Sequence, residues 1–402
     1  MISSEVSVSA PASIRRLWAV FILGGLSAFG PLCLDMYLPA LPVLAGDLQT
    51  SASMAQLSLT ACLLGLSLGQ LLAGPLSDVR GRRVPLLAGL VVYAAVSLIC
   101  AWAPSAWSFI ALRFIQGAAG AAGIVISRAI VRDMYSGPAL TSFFAMLMLV
   151  NGAAPILAPI IGGQLLQFTT WRGVFIVLGL FGIVMLAAVW LAMPETLPSA
   201  RRSKGGFSNT LTTFRTLLRD RLFIGYALTQ GFVTAAMFAY ISGSPFVLQD
   251  IYGVSPQMFS VFFAINGLGI IIAGQITGRL AGRVNDAKLF ISGLSIAAAG
   301  GIGLLLVIIS GGSLAAVLIP LFFVVASVGV VSTAGFSLAM QKQGHHAGSA
   351  SALLGVLSFI FGALVAPLVG IGGGTTAVPM GLVIAASELC AVLCYLLLVR
   401  RK

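Results

Sequence analysis

Residues 194–221 read PETLPSARRSKGGFSNTLTTFRTLLRDR, the longest polar segment of the chain. It is too short to be a domain. Its basic residues and the Gly205–Gly206 pair suit a cytoplasmic linker lying on a membrane surface. Apolar runs of about 20 residues, long enough to span a bilayer as helices, stand on both sides of it. They fall near 17–38, 54–74, 84–103, 107–130, 140–165 and 171–193 before the linker. After it they fall near 222–245, 258–278, 288–310, 314–339, 349–370 and 377–399. The expected fold is all-α and integral to the membrane, with twelve transmembrane helices in two six-helix bundles, 17–193 and 222–399. Short cytoplasmic tails, 1–16 and 400–402, complete the division, with 194–221 as the linker.

Composition excludes most other classes. Of 402 residues 59% are hydrophobic and only 8% charged, and mean hydropathy is +1.08. Soluble domains carry about 25% charged residues. A net charge of +12 would suggest nucleic acid in a soluble protein, but here the basic residues lie between apolar runs and report topology. With a cytoplasmic N-terminus, Arg15, Arg16, Arg80, Arg82, Arg83, Arg128 and Arg132 fall inside. So do the linker's basic residues, then Arg279, Arg283, Lys288, Lys342, Arg400, Arg401 and Lys402. Outside stands only Arg172, beside the acids Asp47 and Asp250. This positive-inside asymmetry predicts a multi-pass protein of the bacterial inner membrane with both termini cytoplasmic, and no nucleic-acid partner. The first run is read as a retained span rather than a cleaved leader. The cysteines Cys33, Cys62, Cys100, Cys390 and Cys394 form no CxxC and read as packing residues, with no metal site.

Motifs narrow the function further. Neither a P-loop, nor HExxH, nor GxSxG is present, which argues against an ATP-driven subunit and against an enzyme. His345 and His346 are the only histidines and lie in a loop. The second span ends in GPLSDVRGRR from Gly74 and the eighth in GQITGRLAGR from Gly274, a weak internal repeat in which Gly278 answers Asp78. Parallel repeats are a transporter signature.

Inside the first apolar run, LCLDMYLPALP (32–42) holds Asp35 among apolar and aromatic neighbours. An ionised carboxylate at membrane depth is costly and usually faces a cavity or a partner. The bland alternative is that Pro39 and Pro42 end the helix early and water simply wets the side chain. Arg113 lies a few residues into the fourth span, which places it near the level of Asp35. It serves either as a hydrogen-bonder to backbone carbonyls or as a charge linked to the acid. Glu388, in the twelfth span, is a second intramembrane acid. In the fifth span Ala154, Ala158 and Gly162 recur every four residues, a stripe that lets helices approach closely, while Pro155 and Pro159 bend it.

Taken together, GPLSDVRGRR, RFIQG (113–117) and AAPILAPIIGG (153–163) resemble the loop, proton-linked and antiporter motifs of the major facilitator superfamily. Alanines Ala154 and Ala158 stand where that antiporter motif usually has glycines. LDMYLPALP, MFAYISGSPFVLQ (237–249) and HHAGSASALLG (345–355) resemble its bicyclomycin-resistance (Bcr/CflA) branch of drug–proton antiporters. The resemblance implies proton-driven export of small lipophilic drugs by alternating access, with the proton as coupling ion and no other cofactor. Asp35 and Arg113 would carry proton coupling. Gly74, Asp78, Arg80, Gly81, Arg82, Arg83 and Arg132 would form a cytoplasmic gate, with Arg132 as a partner for Asp78. Ala154, Pro155, Ala158, Pro159, Gly162 and Gly163 would form the antiporter-motif packing. Tyr37, Phe238, Tyr240 and Phe246 are candidate substrate contacts. The protein is expected to act as a monomer among membrane lipid. An alternative cargo is a natural metabolite such as an amino acid. A passive channel would need a continuous polar pore, and polar residues are too scarce for one.

Overall fold

The computed structural model describes residues 13–202, 215–341, 347–372 and 374–400. Expectations falling on 1–12, 203–214, 342–346, 373 and 401–402 lie outside the described residues, the Gly205–Gly206 and His345–His346 pairs among them.

The described residues open with one bent rod made of α1 (Ser13–Ser27), α2 (Phe29–Asp35) and α3 (Leu41–Asp47), with a 3₁₀ turn at Leu38–Ala40. The apolar run in the sequence stops near residue 38, whereas the rod continues to Asp47. The reason is that Pro39 and Pro42 each sit in the first turn of the piece they open. There a missing N–H is no loss. The remaining helices of the first half are α4 (Ala52–Arg80), α5 (Arg83–Ala101), α6 (Ala106–Met134), α7 (Gly137–Leu165) and α8 (Trp171–Ala192). The second half holds α9 (Arg221–Phe246), α10 (Pro256–Leu280), α11 (Asp286–Ile309), α12 (Leu314–Met340), α13 (Ala347–Val369) and α14 (Val378–Cys394). Side-chain caps fix several starts: Ser51 accepts from Met54 N–H, Ser255 from Met258 N–H, and Asp220 from the N–H groups of Leu222 and Phe223.

Twelve stretches of the described helices are long and apolar enough to cross a membrane. Large apolar side chains such as Leu191, Leu306, Ile319 and Leu364 are more than half exposed on the outer surface. Such a surface would aggregate in water and suits hydrocarbon. Without a hydrophobic force between helices in lipid, close backbone approach takes over. A Cβ on Gly65 of α4 would lie 2.1 Å from the Phe114 carbonyl oxygen of α6. One on Gly329 of α12 would lie 2.2 Å from that of Ile270 of α10. The same contact is thus repeated in each half.

The two halves meet most intimately at the end remote from the chain termini. There six side chains donate to backbone carbonyls of the opposite half. From α4, Ser53 donates to Pro367 O at 2.9 Å, Gln56 to Ser242 O at 2.9 Å and Thr60 to Ala363 O at 3.0 Å. From α10, Gln257 donates to Gly163 O at 2.9 Å and Ser260 to Pro159 O at 2.7 Å. Gln249, just after α9, donates to Pro39 O at 3.1 Å. Pro367 has no N–H, so the Ala363 carbonyl one turn earlier lacks a helical donor, and Thr60 supplies it. Among the described residues no hydrogen bond joins the halves at the terminal end.

Candidate functional site

Between the halves lies a cavity of about 420 Å³. The first half contributes Asp35, Leu66, Gln70, Arg128, Asn151 and Pro155, and the second half faces them with aromatic and aliphatic side chains. Phe238, Tyr240, Phe263 and Phe359 are the aromatic ones. The wall is mostly apolar with a few polar groups, the usual make-up of a small-molecule site.

Asp35 is the last residue of α2 and only 7% exposed. Pro39 removes the N–H that would bond its backbone carbonyl, so the rod loosens into the 3₁₀ turn immediately beyond it. Among the described residues Asp35 makes no ion pair.

Arg113 does not reach Asp35; it grips the other face of the same rod. Its Nη2 donates to the Cys33 carbonyl at 2.6 Å, and its guanidinium lies 4.4 Å over the Tyr37 ring and 5.5 Å from that of Phe175. Cys33 and Tyr37 are one turn apart and share a face, whereas Asp35 lies two residues from each, on the opposite side. Arg113 also donates to Gln116, whose amide donates to Ser97 at 2.7 Å. The guanidinium is fully buried, with no carboxylate in reach among the described residues. Carbonyl and ring quadrupole hold its charge instead.

The four candidate substrate contacts separate. Phe238 and Tyr240 line the cavity, and Asn266 donates to the Tyr240 hydroxyl at 2.9 Å. Tyr37 is fully buried beneath Arg113, bonded to Ser58 at 2.9 Å, and is not in the cavity wall. Its place one turn after Cys33 turns it away. Phe246 lies at the closed end of the halves, beside Gln56 and Gly370. Arg128, Gln70 and Asn151 line the cavity without having been singled out. Arg128 carried a usable signal, since it stands inside the apolar run 107–130 as Arg113 does.

The antiporter-motif stripe lies where α7 meets both the bent rod and the other half. A Cβ on Gly162 would fall 1.8 Å from Met36 O, and one on Gly163 2.4 Å from Ser260 Oγ. Pro159 supplies a carbonyl to Ser260, Pro155 lines the cavity, and Ala154 and Ala158 are buried.

At the terminal end, Arg82 organises the loop after α4. It donates to Asp78, to Ser77 at 2.9 Å and to Asp133 at 2.9 Å. The partner of Asp78 is therefore Arg82, four residues on, rather than Arg132, which is exposed and makes no ion pair among the described residues. Arg83 donates to the Trp190 carbonyl at 2.7 Å, and Arg80 is exposed. Glu195 accepts from the N–H groups of Arg82 at 2.8 Å, Arg83 at 3.2 Å and Leu197 at 3.0 Å, and so caps α5 from the start of the linker. Burial pushes the Glu195 carboxyl up, but these three donors outweigh it and hold the group below the usual carboxylate range. Gly81, at φ +92°, leaves room for that carboxylate: a Cβ would sit 2.4 Å from Glu195 Oε2. A Cβ on Gly74 would be only in ordinary contact, 3.5 Å from Val125. Glu388 is fully buried in α14 against Gly301 of α11, with neither carboxylate oxygen hydrogen-bonded among the described residues.

A family model described as the Major Facilitator Superfamily matches residues 18–367. An uncharacterized MFS-type transporter of Bacillus subtilis, YdgK, is 46% identical over 394 residues, covering 98% of each chain. A bicyclomycin resistance protein homolog of Haemophilus influenzae is 32% identical over 95% of this chain and 96% of its own. The fold matches a bacterial homolog of the human lysosomal transporter Spinster with a TM-score of 0.77 at 17% identity, covering 98% of each chain.

Proposed function

The chain belongs to the major facilitator superfamily, and on that premise we propose that it is a proton-coupled antiporter exporting small lipophilic drugs by alternating access. The observation that carries the reading is Asp35, an acid set in the wall of an apolar cavity between the two halves. The drug-resistance name of the Haemophilus influenzae relative supports the cargo class.

In the proposed orientation the termini are cytoplasmic, and the sealed end faces outward. The cavity then serves the cytoplasmic side in this state. Drug arriving there favours the ionised carboxylate and release of its proton inward. Protonation from outside resets the empty carrier by removing a charge that the apolar cavity tolerates poorly. Arg113 positions the rod rather than pairing with the acid: by holding the Cys33 carbonyl it links the backbone around Asp35 to α6. Asp78 and Arg132, exposed at the terminal end, are the groups available to the opposite half when that end closes. One proton crossing 100 mV supplies about 2.3 kcal/mol. A pH difference of one unit adds about 1.4 kcal/mol. Together these sustain a gradient of roughly several hundredfold for a neutral cargo.

The test is transport by purified protein in proteoliposomes with an imposed pH gradient and a panel of antibiotics. Antibiotic accumulation with proton counter-flow, abolished by an uncoupler, supports the reading. Accumulation without proton movement refutes it.

A further inference from the structure

Among the described residues the cavity wall holds two charged side chains, of opposite sign: Asp35 and Arg128. They stand at different heights. Ser27 of the rod and Ser127 of α6 share a hydrogen bond at 3.2 Å, which fixes Arg128 at the level of residue 27. Asp35 lies eight residues further along the rod, hence roughly 12 Å nearer the sealed end at 1.5 Å per residue. The rest of the described lining is mostly apolar or aromatic, with Leu34, Ile124, Phe238, Ile241, Phe263 and Phe359 among it. Neither charge has an ion-pair partner among the described residues. Arg128 contrasts with Arg82, which two carboxylates hold. The polar side chains Gln70 and Asn151 belong to the wall as well, and Asn151 donates to the Leu147 carbonyl of its own helix.

We infer that the cavity is a bipolar site for amphoteric cargo: an apolar, flat-bodied molecule with a cationic group at one end, met by Asp35, and an anionic group at the other, met by Arg128. The proposal rests on the reading of this cavity as the cargo site. A guanidinium offers a planar fork of donors that matches a carboxylate or phosphate. It also repels a cargo that is cationic throughout. Each charge that the cavity leaves unpaired when empty is paired when such a molecule is bound, so the site discriminates by charge pattern as well as by lipophilicity. Arg128 is then a specificity determinant distinct from Asp35. Its loss shifts preference among cargoes, whereas loss of Asp35 removes proton exchange.

The probes are norfloxacin, with an ammonium and a carboxylate at opposite ends of an aromatic body, and its ethyl ester, which lacks the anion. Binding of each to purified wild type, Arg128→Gln and Arg128→Lys is measured by titration calorimetry. Proton-coupled transport is measured separately in proteoliposomes. Wild type binds norfloxacin at least tenfold more tightly than the ester, a preference of about 1.4 kcal/mol. The preference collapses in Arg128→Gln and is largely kept in Arg128→Lys. Equal affinity of wild type for the two probes, or an undiminished preference in Arg128→Gln, overturns the inference, as does absence of binding. If binding shows the preference but no protons move, antiport fails and the bipolar site stands.

Discussion

Replacing Thr60 by valine keeps the shape of the side chain and removes one donor at the seal between the halves. Its acceptor, the Ala363 carbonyl, has no helical N–H to fall back on because Pro367 occupies the position one turn later. Ala363 is 3% exposed, so in the sealed state the carbonyl is orphaned out of reach of bulk water. An unsatisfied buried acceptor costs about 1–3 kcal/mol, a cost that disappears once the seal opens and water arrives. Taking about 1.4 kcal/mol, the ratio of sealed to open molecules falls roughly tenfold. Adding Ser53→Ala removes a second bond, to the Pro367 carbonyl. The two sites are neighbours, so the sum need not be additive. The assay is double electron–electron resonance between spin labels at Thr50 and Thr375, on opposite halves at the sealed end, after Cys390 and Cys394 are replaced by serine. The long-distance population grows in Thr60→Val and grows further in the double variant. An unchanged distance distribution in both variants would show that these bonds do not set the balance between states.

Arg113→Lys keeps the charge but loses the planar fork over Tyr37 and one of the bonds to Cys33 or Gln116. At about 1.5–3 kcal/mol for a charged hydrogen bond, proton-coupled transport falls at least tenfold while the protein still inserts. This is read in membrane vesicles against expression level. Glu195→Gln weakens the cap on α5 and costs about 1 kcal/mol near neutral pH. Because the folded-state group titrates below its usual range, its contribution is fully present above the unfolded value near 4.3. It fades as pH falls through the folded value. Thermal unfolding in detergent therefore shows a gap between wild type and Glu195→Gln at pH 7 that closes on acidification, and a gap independent of pH contradicts the cap.

Much of the architecture is legible in the chain because lipid imposes it. A run such as 171–193 has few alternatives to a membrane helix, and arginines between runs mark the ends. The first rod is harder, since proline signals a stop at Pro39 and Pro42 whether a helix ends there or merely changes pitch. Asp35 and Arg113 are conspicuous as charges in apolar runs, but their relation is not. That Arg113 grips the face opposite the one carrying Asp35 follows from the rod's rotation about its axis, which depends on contacts with α6 such as Ser27 with Ser127. Arg128 offered the same signal as Arg113, yet its position near a run's end allows a topological reading. Asp133 and Glu195, which meet Arg82 across 51 and 113 residues of chain, leave no local trace. Tyr37 shows the limit on aromatics: only its partner decides whether it faces cargo or Arg113.

In the proposed cycle one carboxyl group in the cavity, that of Asp35, exchanges a proton for cargo. Its most direct test is the pH inside proteoliposomes, followed with a trapped dye, when antibiotic is added to wild type and to Asp35→Asn. A cargo-dependent pH change is expected in wild type and none in Asp35→Asn, with insertion of the variant intact. An equal proton flux in Asp35→Asn would contradict it.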